Sequence, residues 1–210
     1  MIVVRSLGLQ DYEPLWRRMQ QFTDDRDAST RDELWFTEHA PVFTLGLNAS
    51  RDHLLAPGDI PVVQVDRGGQ VTYHGPGQLM IYPLIDLRRA KLGVWDLVTA
   101  LEQSAIDLVA GYHVHAVARK DAPGVYVDGR KIASVGLRIR RGASFHGMAL
   151  NIDVDLEPFS RINPCGFDDL EVTDLRALGI TATAAELQAS FQAALLRHLG
   201  LQAEAIVSGD

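Results

Sequence analysis

The chain holds a single cysteine, Cys165, between Pro164 and Gly166 in the stretch Asn163-Pro164-Cys165-Gly166. A lone cysteine forms no internal disulfide, so it is either a small packing residue or a nucleophile. Proline and glycine on either side argue for a tight turn, where a thiol is reachable. Lysine is as sparing: Lys91, Lys120 and Lys131 stand against seventeen arginines. Lys131 lies in Gly129-Arg130-Lys131-Ile132-Ala133-Ser134-Val135-Gly136, at the start of a run that is otherwise small and apolar. There a lysine faces either solvent or a pocket. A third segment, Arg67 to Gln78, carries four glycines among twelve residues, with Arg67, Thr72, Tyr73 and His74 between them. Glycines let backbone approach a ligand and expose N–H donors. No Gly-Lys-Ser/Thr follows, and the spacing is not that of a dinucleotide fingerprint, so the segment is a different ligand cradle or a plain hairpin. The small residues of Phe145-His146-Gly147-Met148-Ala149-Leu150-Asn151 leave room beside a sheet.

The elements that must position these groups show in the hydrophobic spacing. Leu15, Met19 and Phe22 share one face of a helix expected over Tyr12 to Asp25, followed by a charged loop from Thr23 to Glu33. Short strands are expected at Leu34 to Thr37, Val42 to Leu45 and Pro61 to Val65. Gln78 to Ile85 reads as a central strand, with Pro83 where no ladder donor is needed. Val94, Leu97, Leu101, Ala105 and Leu108 give the strongest helix, with Gly111 as its stop. Strands follow at His113 to Val117 and Val125 to Val127. Asp128-Gly129 predicts a hairpin turn, with Arg130 to Ile139 as the return strand and Ser144 to Ile152 beside it. Thr183 and Glu186 form a capping box for a last helix bearing Leu187, Phe191, Leu195 and Leu199, closed by Gly200. Helices and strands are mixed without strict alternation. That predicts one α/β or α+β domain over residues 1–210, with a mixed central β-sheet flanked by helices.

At 47% hydrophobic and 22% charged residues, the 210-residue chain has an ordinary globular balance. Its net charge of −7 gives a nucleic-acid partner no general electrostatic support. The sequence shows neither a signal peptide nor an apolar run of membrane-spanning length, so a cytoplasmic protein with no membrane role is expected. Scattered histidines such as His113 and His115 supply no metal-ligand set.

Taken together, the three segments resemble the octanoyltransferases of lipoate biosynthesis, the lipoyl(octanoyl) transferase family. The resemblance rests on RGGQVTYHGPGQLMIYP (Arg67 to Pro83), GRKIASVGLRIRRGASFHGMALNI (Gly129 to Ile152) and INPCG (Ile162 to Gly166), and takes in Glu38-His39 before Pro41 to Gly46. It implies a fold like the catalytic domain of biotin and lipoate protein ligases. It also implies a reaction: an octanoyl group moves from the phosphopantetheine thioester of acyl carrier protein to a lysine of a lipoyl domain. Acceptors would be the lipoyl domains of 2-oxoacid dehydrogenase complexes and the glycine cleavage H protein. By resemblance, Cys165 carries the acyl group and Lys131 tunes that cysteine. Substrate binding falls to Arg67, Gly68, Gly69, Gln70, Val71, Thr72, Tyr73 and His74, to Ser134, Val135 and Gly136, and to Gly147, Met148 and Ala149. No cofactor, ATP or metal is expected, and the chain would act as a monomer.

These residue types suit that chemistry. Only about 3% of a free thiol is ionised at neutral pH, and a nearby ammonium favours the thiolate. Once Cys165 is acylated its charge is gone, and Lys131 as a neutral amine becomes a usable base for the incoming lysine. Gly136, Gly147 and Ala149 would floor an acyl channel, with Val135 and Met148 as walls. Backbone N–H groups near Gly166 or in the glycine-rich segment are candidate oxyanion donors. His74 orients substrate, moves a proton or braces the loop. Three rival readings remain open: an ATP-dependent ligase, a cysteine hydrolase and an acyl-chain binding module. The acidic chain would need a local basic patch to dock an acidic carrier, at Arg138, Arg140 and Arg141 or at Arg88 and Arg89.

Overall fold

A computed structural model describes residues 1–163 and 170–208. Cys165 and its turn lie outside the described residues. In chain order the elements are β1 (Ile2–Gln10), α1 (Tyr12–Asp24), β2 (Asp32–His39), β3 (Val42–Leu45), β4 (Val62–Gln64), β5 (Val71–His74), β6 (Gln78–Leu84), α2 (Leu87–Ala90), α3 (Val94–Ala110), β7 (Val117–Ala118), β8 (Gly124–Val127), β9 (Arg130–Arg140), β10 (Ala143–Asn151), α4 (Ala184–Leu199) and β11 (Ala203–Ser208). Among the described residues, eight strands form one sheet in the order β11-β1-β2-β6-β10-β9-β8-β7, and β4-β3-β5 form a smaller one. β1 pairs parallel with both β11 and β2, whereas β2–β6, β6–β10 and β10–β9 are antiparallel, so the sheet is mixed.

Period-two alternation splits the core. Along β6, Leu79 and Ile81 face a core shared with Leu97, Leu101 and Leu108 of α3 and Leu187, Phe191 and Leu195 of α4. Met80, Tyr82 and Leu84 face the other way, onto Leu15, Trp16 and Met19 of α1. Pro83 sits in β6 beyond Ile81, the last residue in register with β10, so no ladder donor is lost to that neighbour. α4 starts on the expected box: the Glu186 N–H donates to Thr183 Oγ1, and the Thr183 N–H donates to Glu186 Oε2 at 2.8 Å. It ends on Gly200 at φ +64.

Two expectations need correction. β2 begins at Asp32, inside the segment read as a loop, because its charges are paired: Asp32 accepts from Arg26 and Arg89, and Glu33 from Arg5. Residues 113–116 are not a strand. His113, at φ +61, takes the left-handed position that closes α3, and the Val114 N–H donates back to the Val109 carbonyl. Only Val117–Ala118 pairs, with β8. No helix among the described residues is long and apolar enough to cross a membrane.

Candidate active site

A cleft with an empty volume of about 490 Å³ opens on the α1 side of the sheet, where β9, β10 and β6 meet the glycine-rich segment. Three stretches singled out in the sequence converge there: Arg67, Gly69, Gln70, Val71, Thr72 and His74; Ser134, Val135 and Gly136; Gly147, Met148 and Ala149. The floor follows from strand register. Gly136 stands opposite Gly147 and Ser134 opposite Ala149, and Ala149 in turn faces Met80. Facing glycines leave a trough in an otherwise side-chain-covered surface. Val135 and Met148 border the cleft while packing into the α3/α4 core.

Gly68 and Tyr73 stand elsewhere. The Gly68 N–H donates to the Leu137 carbonyl at 3.0 Å, tying the loop down onto β9. Tyr73 points the other way along β5 and packs on Phe43 and Phe159. The cleft gains four residues to which the sequence assigned no part in substrate binding: Tyr12, Met80, Tyr82 and His146. The alternation in β6 carried the signal for Met80 and Tyr82. His146 carried none, because its φ of +56 breaks the pleat of β10 and brings it to Asp66 on the α1 side.

The histidines and tyrosines here are buried and neutral. His39 Nδ1 meets the Gln10 carbonyl at 2.9 Å, so Nδ1 holds the proton and Nε2 accepts from the Tyr82 hydroxyl at 2.7 Å. Burial pushes His39 down to about 4. Burial also holds His74 well below its usual range, reinforced by the charge of Arg67. Both His74 nitrogens are taken: Nε2 by the Thr44 hydroxyl at 3.2 Å, and Nδ1 by Gln78 Oε1 at 2.7 Å. That geometry makes His74 a brace. Burial lowers His146 too, although Asp66 accepts from its Nε2 at 2.9 Å and opposes the shift. Tyr12 is pushed up to about 12 by burial and keeps its proton. Arg67 donates to the Thr44 carbonyl at 2.7 Å and to its hydroxyl at 2.8 Å.

Lys131 is 2% exposed despite its charge. Its Nζ lies 5.2 Å from the centre of the Tyr126 ring. Its Cε lies 2.6 Å from where a Cβ on Gly124 would stand, and Gly124 faces Ser134 of the cleft across the β8–β9 ladder. The lysine therefore folds back along the sheet past Gly124 in the direction of Ser134, without itself lining the cleft. Its backbone ties down the chain that follows the cysteine segment: its N–H donates to the Glu171 carbonyl at 2.8 Å, and its carbonyl accepts from the Thr173 N–H at 3.0 Å. On the other flank, the Asn163 N–H donates to the His53 carbonyl at 2.8 Å. Among the described residues no group of three or more His, Cys, Asp or Glu side chains is placed to hold a metal.

The lipoyl protein ligase A/B catalytic domain family matches residues 11–196. An octanoyltransferase from Hahella chejuensis is 58% identical over 201 residues, covering 96% of this chain and 90% of that one. One from Shewanella baltica is 57% identical, covering 95% and 92%. The chain belongs to the octanoyltransferases of this family. Its activity is octanoyl transfer in lipoate biosynthesis. A lipoate-protein ligase A crystallised with ATP superposes with a TM-score of 0.77 at 12% identity, over 99% of this chain and 90% of that one. A biotin protein ligase from Aquifex aeolicus gives 0.54 at 10%, over 95% and 69%. At such identities the likeness is one of fold, and it is the mixed sheet with flanking helices expected from the sequence.

Proposed function

We propose that the enzyme takes octanoyl from the phosphopantetheine thioester of acyl carrier protein onto Cys165, then passes it to the acceptor lysine of a lipoyl domain. In the first half, the Cys165 thiolate adds to the thioester carbonyl and the phosphopantetheine sulfur leaves as a thiolate, which takes the proton of Lys131 and leaves that lysine a neutral amine. In the second, the lipoyl-domain amine adds to the acyl-cysteine carbonyl, an amide forms, and the Cys165 thiolate leaves. The proton lost by the amine goes to Lys131. One thioester replaces another of similar energy, so neither ATP nor a metal is required.

One observation carries this reading: a lysine, ordinarily a surface residue, is buried, folded toward the cleft and bonded through its backbone to the chain that follows the cysteine segment. The trough supports the acyl assignment. Ser134, Ala149 and Met80 lie side by side on three strands, about 10 Å across and close to the length of an extended eight-carbon chain. For docking, Arg88, Arg140 and Arg141 form one surface: Arg88 donates to the Arg141 carbonyl, and Arg140 and Arg141 both hold Asp24 at the end of α1. An acidic carrier and a cytoplasmic setting fit this reading.

The test is intact-protein mass spectrometry after mixing with octanoyl-acyl carrier protein without ATP or magnesium. An octanoyl adduct is expected on the wild type and not on Cys165→Ala. Wild-type transfer rates in Cys165→Ala would end the covalent reading.

A further inference from the structure

Among the described residues, the mechanism above leaves four buried acids unused: Asp32, Glu33, Glu102 and Asp174. Glu102 sits on α3 beside Leu101, 8% exposed, on a helix face that otherwise buries apolar side chains. A carboxylate there is costly unless it has work. Its Oε1 accepts the Gly124 N–H at 2.8 Å. Gly124 is also the residue that Lys131 needs. At φ +144 it lies where side chains rarely go, and a Cβ there would meet the Ala133 carbonyl and stand 2.6 Å from Lys131 Cε. Glu102 and Lys131 thus both touch Gly124, and the charge of Lys131 acts on Glu102.

We propose that Glu102 and Gly124 are positioning residues for Lys131: Gly124 opens the path along which the lysine runs toward the cleft, and Glu102 fixes Gly124 and supplies the negative charge that holds the ammonium in place. This rests on the role of Lys131 proposed above. Burial pushes the Glu102 carboxyl up from its ordinary value, while the Gly124 N–H and the Lys131 charge pull it back toward ionisation. Lys131 also meets the Tyr126 ring of β8, which Arg119 approaches to 5.1 Å, and its backbone is bonded to that of Glu171 and Thr173. Glu102 is then a negative charge that still acts on Lys131 when acylation removes the thiolate.

Glu102→Gln keeps an oxygen for the Gly124 N–H and removes only the charge, so it separates electrostatics from packing. With three lysines in the chain, ε-13C-lysine NMR resolves Lys131, assigned by its absence in Lys131→Arg. The titration midpoint of that signal is expected to fall by about one pH unit or more in Glu102→Gln, because a neighbouring opposite charge is gone. The pH profile for transfer from preformed acyl-enzyme should move down by a similar amount. An unmoved midpoint in a folded Glu102→Gln protein overturns the role of Glu102. Gly124→Ala should retain the NMR fold signature yet lose at least tenfold in transfer, and near-wild-type transfer would overturn the role of Gly124. The NMR arm needs no acyl transfer, so it separates failure here from failure of the covalent reading: absence of any wild-type acyl-enzyme would count against that reading, whatever the lysine midpoint does.

Discussion

The Thr173 N–H donates to the Lys131 carbonyl at 3.0 Å, and that bond ends a one-way chain of donors that begins at Arg67. Arg67 donates to Thr44, Thr44 to His74, His74 to Gln78, Gln78 to Asn151, and Asn151 to the Thr173 carbonyl. Each link fixes the tautomer or amide orientation of the next. The chain runs beneath the cleft from the glycine-rich segment to the strand that carries Lys131. It ties the glycine-rich motif to the motif that carries Lys131.

Gln78→Met tests that rigidity. Methionine fills similar space but leaves the His74 N–H and an Asn151 acceptor unpaired, in a site where all three residues are buried. The expected loss is about 2 kcal/mol, read as a lower denaturant midpoint with an unchanged slope. Transfer should slow as well, since Arg67 and His74 of the chain line the cleft. Unchanged stability would mean that the chain contributes specificity of geometry and not free energy.

Ala149→Leu tests the trough. Ala149 is buried between Ser134 and Met80, and leucine there would fill the middle of the floor. Octanoyl transfer should drop at least tenfold while transfer of a four-carbon acyl group is largely kept, which is the scale of a few misplaced methylenes in a packed site. Rates measured across a series of acyl carrier protein thioesters decide it. Equal losses at every length would move the acyl chain elsewhere.

Acid should unfold the protein through its buried histidines. His39 titrates near 6.5 when unfolded and is held down to about 4 when folded. Between those values the unfolded chain binds a proton that the folded one refuses, so stability falls as pH drops through that window. The full contribution of His39 is about 3 kcal/mol. His74 and His146 are lowered by the same cause and act in the same direction. His39→Gln should flatten the stability–pH curve between about pH 6 and 4, in urea melts. A curve as steep as wild type would show that His39 is charged in the fold.

Much of this was legible in the sequence because local chemistry and tertiary context agree. Asp128-Gly129 turns with both residues at positive φ, and Thr183 caps with Glu186, as their types require. The strands β1 and β11 went unread: their partners lie far along the chain, and β1 was weighed only as a targeting segment. The site was legible as three motifs, but their joining was not. Gly124 and Glu102 announce nothing locally, since a glycine before a strand and an acid on a helix are commonplace. Their meaning appears when the Lys131 side chain and the Glu102 carboxylate meet at Gly124.

The last prediction separates the two tasks assigned to Lys131. In the proposed reaction the buried Lys131 would supply a charge in the first half-reaction and a base in the second. Lys131→Ala should slow iodoacetamide alkylation of the single cysteine near neutral pH far more than at about pH 9, where the thiol ionises unaided. It should also slow transfer from purified acyl-enzyme to a lipoyl domain, because the proton acceptor is gone. Lys131→Arg should restore part of the alkylation rate, since a positive charge remains. It should restore none of the second step, because arginine keeps its proton. Alkylation against pH and single-turnover transfer, run on all three proteins, give the answer. Identical alkylation profiles would take Lys131 out of the thiol's environment. Fast second-step transfer by the arginine variant would leave Lys131 beside the cysteine but give the base to another group.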